Sequence, residues 1–185
     1  QTSSTYSATM SSTVDGRQVY CVVTDKYGKK VKSNTATLKS KVAITKQPSD
    51  GVYNIGDDAK TSVTATGNGL KYQWYYKNAG ASSFSKSSQT SSTYSATMSS
   101  TVDGRQLYCV VTDKYGNTVK SNTATLKSKF AITNQPSDTY VSIGSTAKAT
   151  VIASGSGLKY QWYYTVPGGS VTALPSSTSS TYSVT

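Results

Sequence analysis

Few side chains in this sequence have the chemistry of a reactive site, and their spacing is more informative than their number. The 185 residues include no histidine and no glutamate, which excludes histidine-based triads and the usual zinc sites. The two cysteines, Cys21 and Cys109, stand 88 positions apart. A nucleophilic cysteine needs a base or a cation to hold its thiolate, whereas a lone cysteine at an inward strand position is an inert apolar side chain. Cys109 is read in the second way, and Cys21 leaves an intermolecular disulfide open. Asp57-Asp58 at a turn offers oxygens to calcium, which takes several such ligands. The residues 88 positions later are Ser145 and Thr146, so turn chemistry is the expected role. No catalytic, metal-binding or cofactor-binding residue is expected.

Tyrosine is the unusual enrichment, at 15 residues. Tyr20, Tyr75, Tyr108 and Tyr163 fall at outward positions, where a ring with an apolar face and a polar tip can stack on a sugar or meet a protein partner. Tyrosine also simply suits a half-exposed sheet face. The formal charge of +11, from 19 basic and 8 acidic residues, would attract polyanions. The lysines are scattered, however, and the cluster Lys26, Lys29, Lys30 and Lys32 becomes Lys114, Asn117, Thr118 and Lys120 one repeat later. Arginine, the bidentate reader of phosphate and bases, occurs only as Arg17 and Arg105. No dedicated nucleic-acid binding is expected, and the lysines are read as guards of strand edges.

The elements that position these residues repeat. Gly69-Leu70-Lys71-Tyr72-Gln73-Trp74-Tyr75-Tyr76 returns as residues 157–164, again 88 positions on. A period of two places Leu70, Tyr72, Trp74 and Tyr76 on one face, the pattern of a half-buried strand. Leu107, Cys109 and Val111 are the inward residues of another strand, and Ala59, Thr61, Val63 and Ala65 those of a third. Abundant Ser, Thr, Tyr and Val favour strands over helices. The fold expected is all-β, built from antiparallel sandwich repeats of 88 residues, long enough for one repeat to bury its own core. Polar joints at Lys39-Ser40-Lys41 and Lys127-Ser128-Lys129 divide the chain into residues 1–40, the C-terminal half of a repeat; 41–128, a complete repeat; and 129–185, the N-terminal part of a repeat. The variable stretch Asn78 to Ser92 reads as a loop or irregular edge. No apolar run is long enough to span a membrane, and an export signal or anchor is expected outside this fragment.

The Tyr72-Gln73-Trp74-Tyr75 strand, followed by Asp103-Gly104-Arg105-Gln106-Leu107-Tyr108-Cys109-Val110-Val111-Thr112-Asp113 and then Ser121-Asn122-Thr123-Ala124-Thr125-Leu126, resembles tandem bacterial immunoglobulin-like domains of Gram-positive secreted and cell-surface proteins. The resemblance covers the whole chain. It implies a two-sheet immunoglobulin-like sandwich with Trp74 on strand C and Cys109 on strand F, an extracellular location and a non-enzymatic role. Two departures matter. Strand B carries Val63, and Val151 in the next repeat, where the usual partner of the strand F cysteine would stand, so no inter-sheet disulfide can form. Val19 and Leu107 occupy the position where the family commonly has the tyrosine of its corner motif. Lysine–asparagine isopeptide cross-links, known in similar domains, need a buried assisting acid; this sequence has no glutamate and its aspartates are read at turns, so none is expected.

The expected structural core is Trp74, Cys109, Val63, Leu107 and Tyr72 in the complete repeat, with Trp162, Val151 and Cys21 in the partial ones. Two functions compete. One is a stalk, spacer or fibre segment of a surface protein; the other is an adhesin or carbohydrate-binding module using the outward tyrosines and the variable serine-rich loop. The partners expected are adjacent immunoglobulin-like repeats, or copies of the same chain completing the partial repeats, with a cell-wall polymer, glycan or host protein as further possibilities. The partial repeats allow either a cut from a longer array or head-to-tail complementation.

Overall fold

The computed structural model describes residues 3–185, and no helix occurs among them. The first strands are β1 (Gln18–Val19), β2 (Val22–Thr24), β3 (Lys30–Lys32) and β4 (Ala36–Thr37). They form two small ladders, β1 with β4 and β2 with β3. The middle of the chain supplies β5 (Ala43–Lys46), β6 (Gly51–Tyr53), β7 (Asp58–Ser62), β8 (Thr64–Thr66), β9 (Lys71–Lys77), β10 (Ser85–Lys86), β11 (Thr93–Thr97), β12 (Arg105–Thr112), β13 (Thr118–Lys120) and β14 (Ala124–Ser128). After them come β15 (Ala131–Asn134), β16 (Ala147–Thr150), β17 (Ile152–Ser154), β18 (Trp162–Tyr164), β19 (Thr172–Leu174) and β20 (Thr181–Val184).

Strands β5 to β14 build a two-layer sandwich. One sheet runs β10-β9-β12-β14-β6, with β13 continuing the pairing on β12. The other layer holds β11 beside β7 and β5 beside β8. Strands β7 and β8 are one line of chain interrupted at Val63, whose amide bonds the Ser92 carbonyl instead. The first strand changes sheets because Pro48 has no amide hydrogen to give a ladder. Its second half, β6, runs parallel to β14, with Gly51 opposite Leu126. The side chains of Gln47 and Asp50, flanking the proline, accept from the amides of Asn122 and Thr125 at 2.9 and 2.7 Å. This strand order makes the complete unit an immunoglobulin-like antiparallel sandwich.

The core follows the alternation of each strand. Trp74, Leu107, Cys109, Val111 and Leu126 face inward from one sheet and meet Ala59, Val63, Tyr94 and Met98 from the other. All are buried, and each large side chain among them contributes about 1.5–3 kcal/mol by leaving water. The longest ladder joins β9 to β12, from Gln106 opposite Lys77 to Thr112 opposite Lys71, and sets Cys109 opposite Trp74.

Residues 129–185 repeat part of this plan. β15 pairs with β17, β16 with β20, and β18 with β19. The irregularity between Ile44 and Lys46 in the middle unit recurs between Ile132 and Asn134. In the middle unit, by contrast, β9 runs for seven residues against β12; its counterpart β18 keeps only three. Likewise, β12 is continuous for eight residues, whereas the corresponding residues 17–24, which differ only in Val19 for Leu107, divide into β1 and β2. A central strand is held by ladders on both edges, and these copies have a partner on one edge only.

Candidate functional site

Asp15 lies at the end of a tight turn closed by amide bonds from Val14 and Asp15 to the Ser11 carbonyl. The turn points its carboxylate at the joint with the complete unit. Oδ1 accepts from the Ser40 amide at 2.6 Å and from the Tyr115 hydroxyl at 3.0 Å. Oδ2 accepts from Asn68 Nδ2 at 2.8 Å and forms an ion pair with Lys114 Nζ at 2.5 Å. The side chain is 1% exposed, so its oxygens have exchanged water for donors from three segments. The Lys114 ammonium holds the Asp15 carboxyl well below the usual carboxylate range; burial opposes this, and the bonds from Ser40 and Asn68 reinforce it. Asp15 in turn raises the Lys114 pKa, again against burial. Charge-assisted bonds of this kind are short and strong.

The two loops that reach Asp15 are held by their own chemistry. Buried Asp113 accepts from the amides of Tyr115 and Asn117, both at 2.9 Å, and from Asn117 Nδ2 at 2.9 Å. These bonds, the Asn117 side chain first, lower its pKa, and they fix the turn that presents Lys114 and Tyr115. Asn68 sits between Gly67 and Gly69, and Gly69 adopts φ +63°. A Cβ there would lie 2.9 Å from Lys114 Cβ, so glycine is required both for the backbone conformation and for the close approach. Lys39 and Lys114 lie 5.0 and 4.9 Å from the Tyr115 ring centre, completing the joint with cation–π contacts.

The second joint has the same acceptor. Asp103 Oδ1 takes the Ser128 amide at 2.6 Å. It borders an open cavity of about 490 Å³ that is also lined by Ser156, Gly157 and Lys159. Ser156 replaces Asn68 there, and among the described residues no cation pairs with Asp103.

The outward tyrosines divide by environment. Tyr75 and Tyr108, opposite one another on β9 and β12, stack at 5.0 Å with a 13° tilt. Phe84 meets Tyr108 edge-on at 4.8 Å, Lys120 lies 3.9 Å from the Tyr108 centroid, and Lys77 lies 5.3 Å from that of Phe84. The result is a half-buried aromatic and lysine face. Tyr20 is exposed, with Lys32 at 4.0 Å, and Tyr163 is exposed as well.

Of the core positions expected from sequence, Trp74, Val63, Leu107 and Cys109 are buried, and Tyr72 is half-buried against them. Trp74 Nε1 donates to the Ser91 carbonyl at 2.9 Å, and its ring lies 5.8 Å from that of Tyr94. Burial pushes the Cys109 thiol up to about 11, which makes it inert at neutral pH. Val151 and Trp162 are only half-buried, and Cys21 is not a core residue at all but exposed. Trp162 lies on β18, which pairs with β19 alone, whereas Trp74 lies on β9 between β10 and β12. Asp15, Asn68, Lys114 and Tyr115 were not singled out by sequence reasoning as acting together. Their signal was an aspartate recurring 25 residues before each joint serine.

No protein-family model and no curated protein matches the chain. Among solved structures it is similar to Drosophila OTK extracellular domains 3–5, at 14% identity and TM-score 0.36, covering 66% of this chain and 47% of that one. It is similar to the N-terminal Ig1–2 module of the Drosophila receptor protein tyrosine phosphatase DLAR, at 16% identity and TM-score 0.34, covering 71% and 82%. Sidekick-1 immunoglobulin domains 1–5 give 16% identity and TM-score 0.38, covering 82% and 39%. The chain thus spans about half of the OTK segment and less of the Sidekick-1 segment. The DLAR and Sidekick-1 segments are immunoglobulin domains; the immunoglobulin-like class of the middle sandwich stands on its own strand order.

Proposed function

We propose that the chain is a non-enzymatic structural segment, a stalk or spacer in an array of immunoglobulin-like repeats on an extracellular bacterial surface protein. The division into residues 1–40, 41–128 and 129–185 belongs to this proposal, as does the Gram-positive setting, which rests on the residue pattern alone. The observation that carries the reading is the joint at Asp15. One buried carboxylate ties the linker amide and two loops of the complete unit together, so that consecutive units are braced rather than strung on a free linker. Small-angle scattering of the full chain tests it. A braced joint gives one narrow distance distribution, and a distribution as broad as that of a flexible Gly/Ser linker would overturn it.

A second reading, adhesion or glycan binding, is favoured by the aromatic face of Tyr75, Tyr108 and Phe84 with Lys77 and Lys120. Sugar rings stack on such faces, and the lysines suit acidic sugars. Glycan-array binding that is lost when Tyr75 and Tyr163 become serine would establish it; an array without binding leaves the spacer reading.

A further inference from the structure

The brace at the first joint is built on a chemically labile dipeptide. Asn68 alone among the asparagines precedes glycine, the pairing in which no side chain hinders the approach of the next backbone nitrogen to the asparagine carboxamide. The fold fixes the pair in place. Gly69 has φ +63°, and a Cβ on it would stand 2.9 Å from Lys114 Cβ, so glycine is required after Asn68. Among the described residues the Gly69 amide donates no hydrogen bond, which leaves its nitrogen uncommitted. Gly69 is also exposed and Asn68 half-buried, so water reaches the pair. Asn68 itself is held at both ends. Its carbonyl accepts from the Lys114 amide at 2.9 Å, and its Nδ2 donates at 2.8 Å to Asp15 Oδ2, the oxygen that also carries the Lys114 ammonium.

We propose that Asn68 is a self-modification site, and that its deamidation is a one-way release of the joint. The Gly69 nitrogen attacks Asn68 Cγ; the N–Cγ bond forms, the Cγ–Nδ2 bond breaks, and Nδ2 leaves as ammonia with the proton of the Gly69 amide. Water then opens the cyclic imide at either carbonyl, giving aspartate or isoaspartate. Water is the sole co-reactant. The intact brace opposes the reaction, because ring closure takes Nδ2 off Asp15. Once formed, the product has no hydrogen to donate there. Two carboxylates then face each other across the gap that Nδ2 bridged, and like charges repel. Isoaspartate also shifts the carbonyl that accepts from Lys114, since it reroutes the backbone through the side chain. Deamidation therefore follows opening of the joint and prevents its reclosure. At the second joint Ser156 precedes Gly157 and has no carboxamide to lose. The proposal rests on the braced-joint reading and adds a chemical lifetime to it.

The test uses the full chain, incubated at neutral pH and sampled over time. Peptide mapping by mass spectrometry should find aspartate and isoaspartate at position 68 before any other asparagine converts. Asp15→Ala, which removes the acceptor, should speed that conversion several-fold. Asp15 lies outside the core of the complete unit, and an unchanged urea transition checks that the variant folds. Small-angle scattering should broaden as Asn68 converts, and Asn68→Asp should be broad when fresh, whereas Asn68→Ser should not change with age. No conversion at position 68, or conversion no faster in Asp15→Ala than in the parent chain, overturns the proposal. So does aged or Asn68→Asp protein that keeps the narrow distribution of the fresh chain. The braced-joint reading fails on a different result, a fresh parent chain that is already broad, and this proposal falls with it.

Discussion

Residues 71–77 and 159–165 are nearly the same stretch of sequence in two settings, and the structure treats them differently. In the complete unit the strand runs seven residues beside β12 and buries Trp74 completely. In the partial unit it shortens to Trp162–Tyr164 and leaves the tryptophan half-buried. Some local features survive the change. Trp162 Nε1 still donates to a serine carbonyl, Ser179, at 2.9 Å, as Trp74 does to Ser91, and the pairing of the first strand is the same in both. The first residue after each joint shows the contrast most simply: Val42 is 5% exposed, and Phe130 is 78% exposed. Local hydrogen bonding and register are therefore properties of the segment, whereas burial and strand length are properties of the assembled sandwich.

The comparison can be broken most sharply at the tryptophans. Trp74→Ala should cost about 3–5 kcal/mol and remove the cooperative urea transition of the complete unit. Trp162→Ala should cost roughly 1–2 kcal/mol, because a half-exposed ring has less transfer energy to lose. Circular dichroism during denaturation reads both, and equal costs would mean that the partial unit is as well packed as the complete one. The cysteines give the next largest contrast. Cys109→Ser buries a hydroxyl in an apolar site at about 1–3 kcal/mol, whereas Cys21→Ser should stay within about 0.5 kcal/mol.

The glycines ahead of the two strands sharpen the comparison at the joint. Gly69 and Gly157 have φ +63° and +62°, so alanine costs about 1–2 kcal/mol at either through the left-handed backbone. Only at Gly69 does the new Cβ also meet Lys114. Gly69→Ala should therefore destabilise more than Gly157→Ala in thermal melts, and should widen the inter-unit distances seen by scattering.

The smallest effect is that of pH near neutrality. A carboxylate whose folded-state pKa is depressed gives its full stabilisation above the unfolded value of about 3.9 and loses it as pH falls through the folded value. Asp15 is depressed in this way by Lys114, so the joint should be unchanged from pH 7 to about 5. It should loosen only below the ordinary carboxylate range. Scattering across an acid titration measures this, and loosening near pH 5–6 would show that the Asp15–Lys114 pair is not the brace.

The inward residues of β9 and β12 were legible because a strand alternates faces every residue, and the repeat was legible because it is written into the order of residues. Val63 opposite the cysteine position also ruled out a disulfide without any coordinates, and both cysteines are free. The four-sided contact at Asp15 was not legible. Its donors Asn68 and Tyr115 lie 53 and 100 residues away, and Asp113-Lys114-Tyr115-Gly116 reads locally as nothing more than a hairpin turn. Cys21 was misplaced for a related reason: its strand has the alternation of Cys109 but lacks the sheet that would bury it.

By itself, the sequence determined the period of 88 and which residues of each strand share a face, since both follow from residue type and spacing along the chain. Only the tertiary structure decided which copy of a given residue is buried and which aspartate is paired. Both depend on surfaces and donors brought up from distant parts of the chain, and identical local sequence carries no record of whether they arrive.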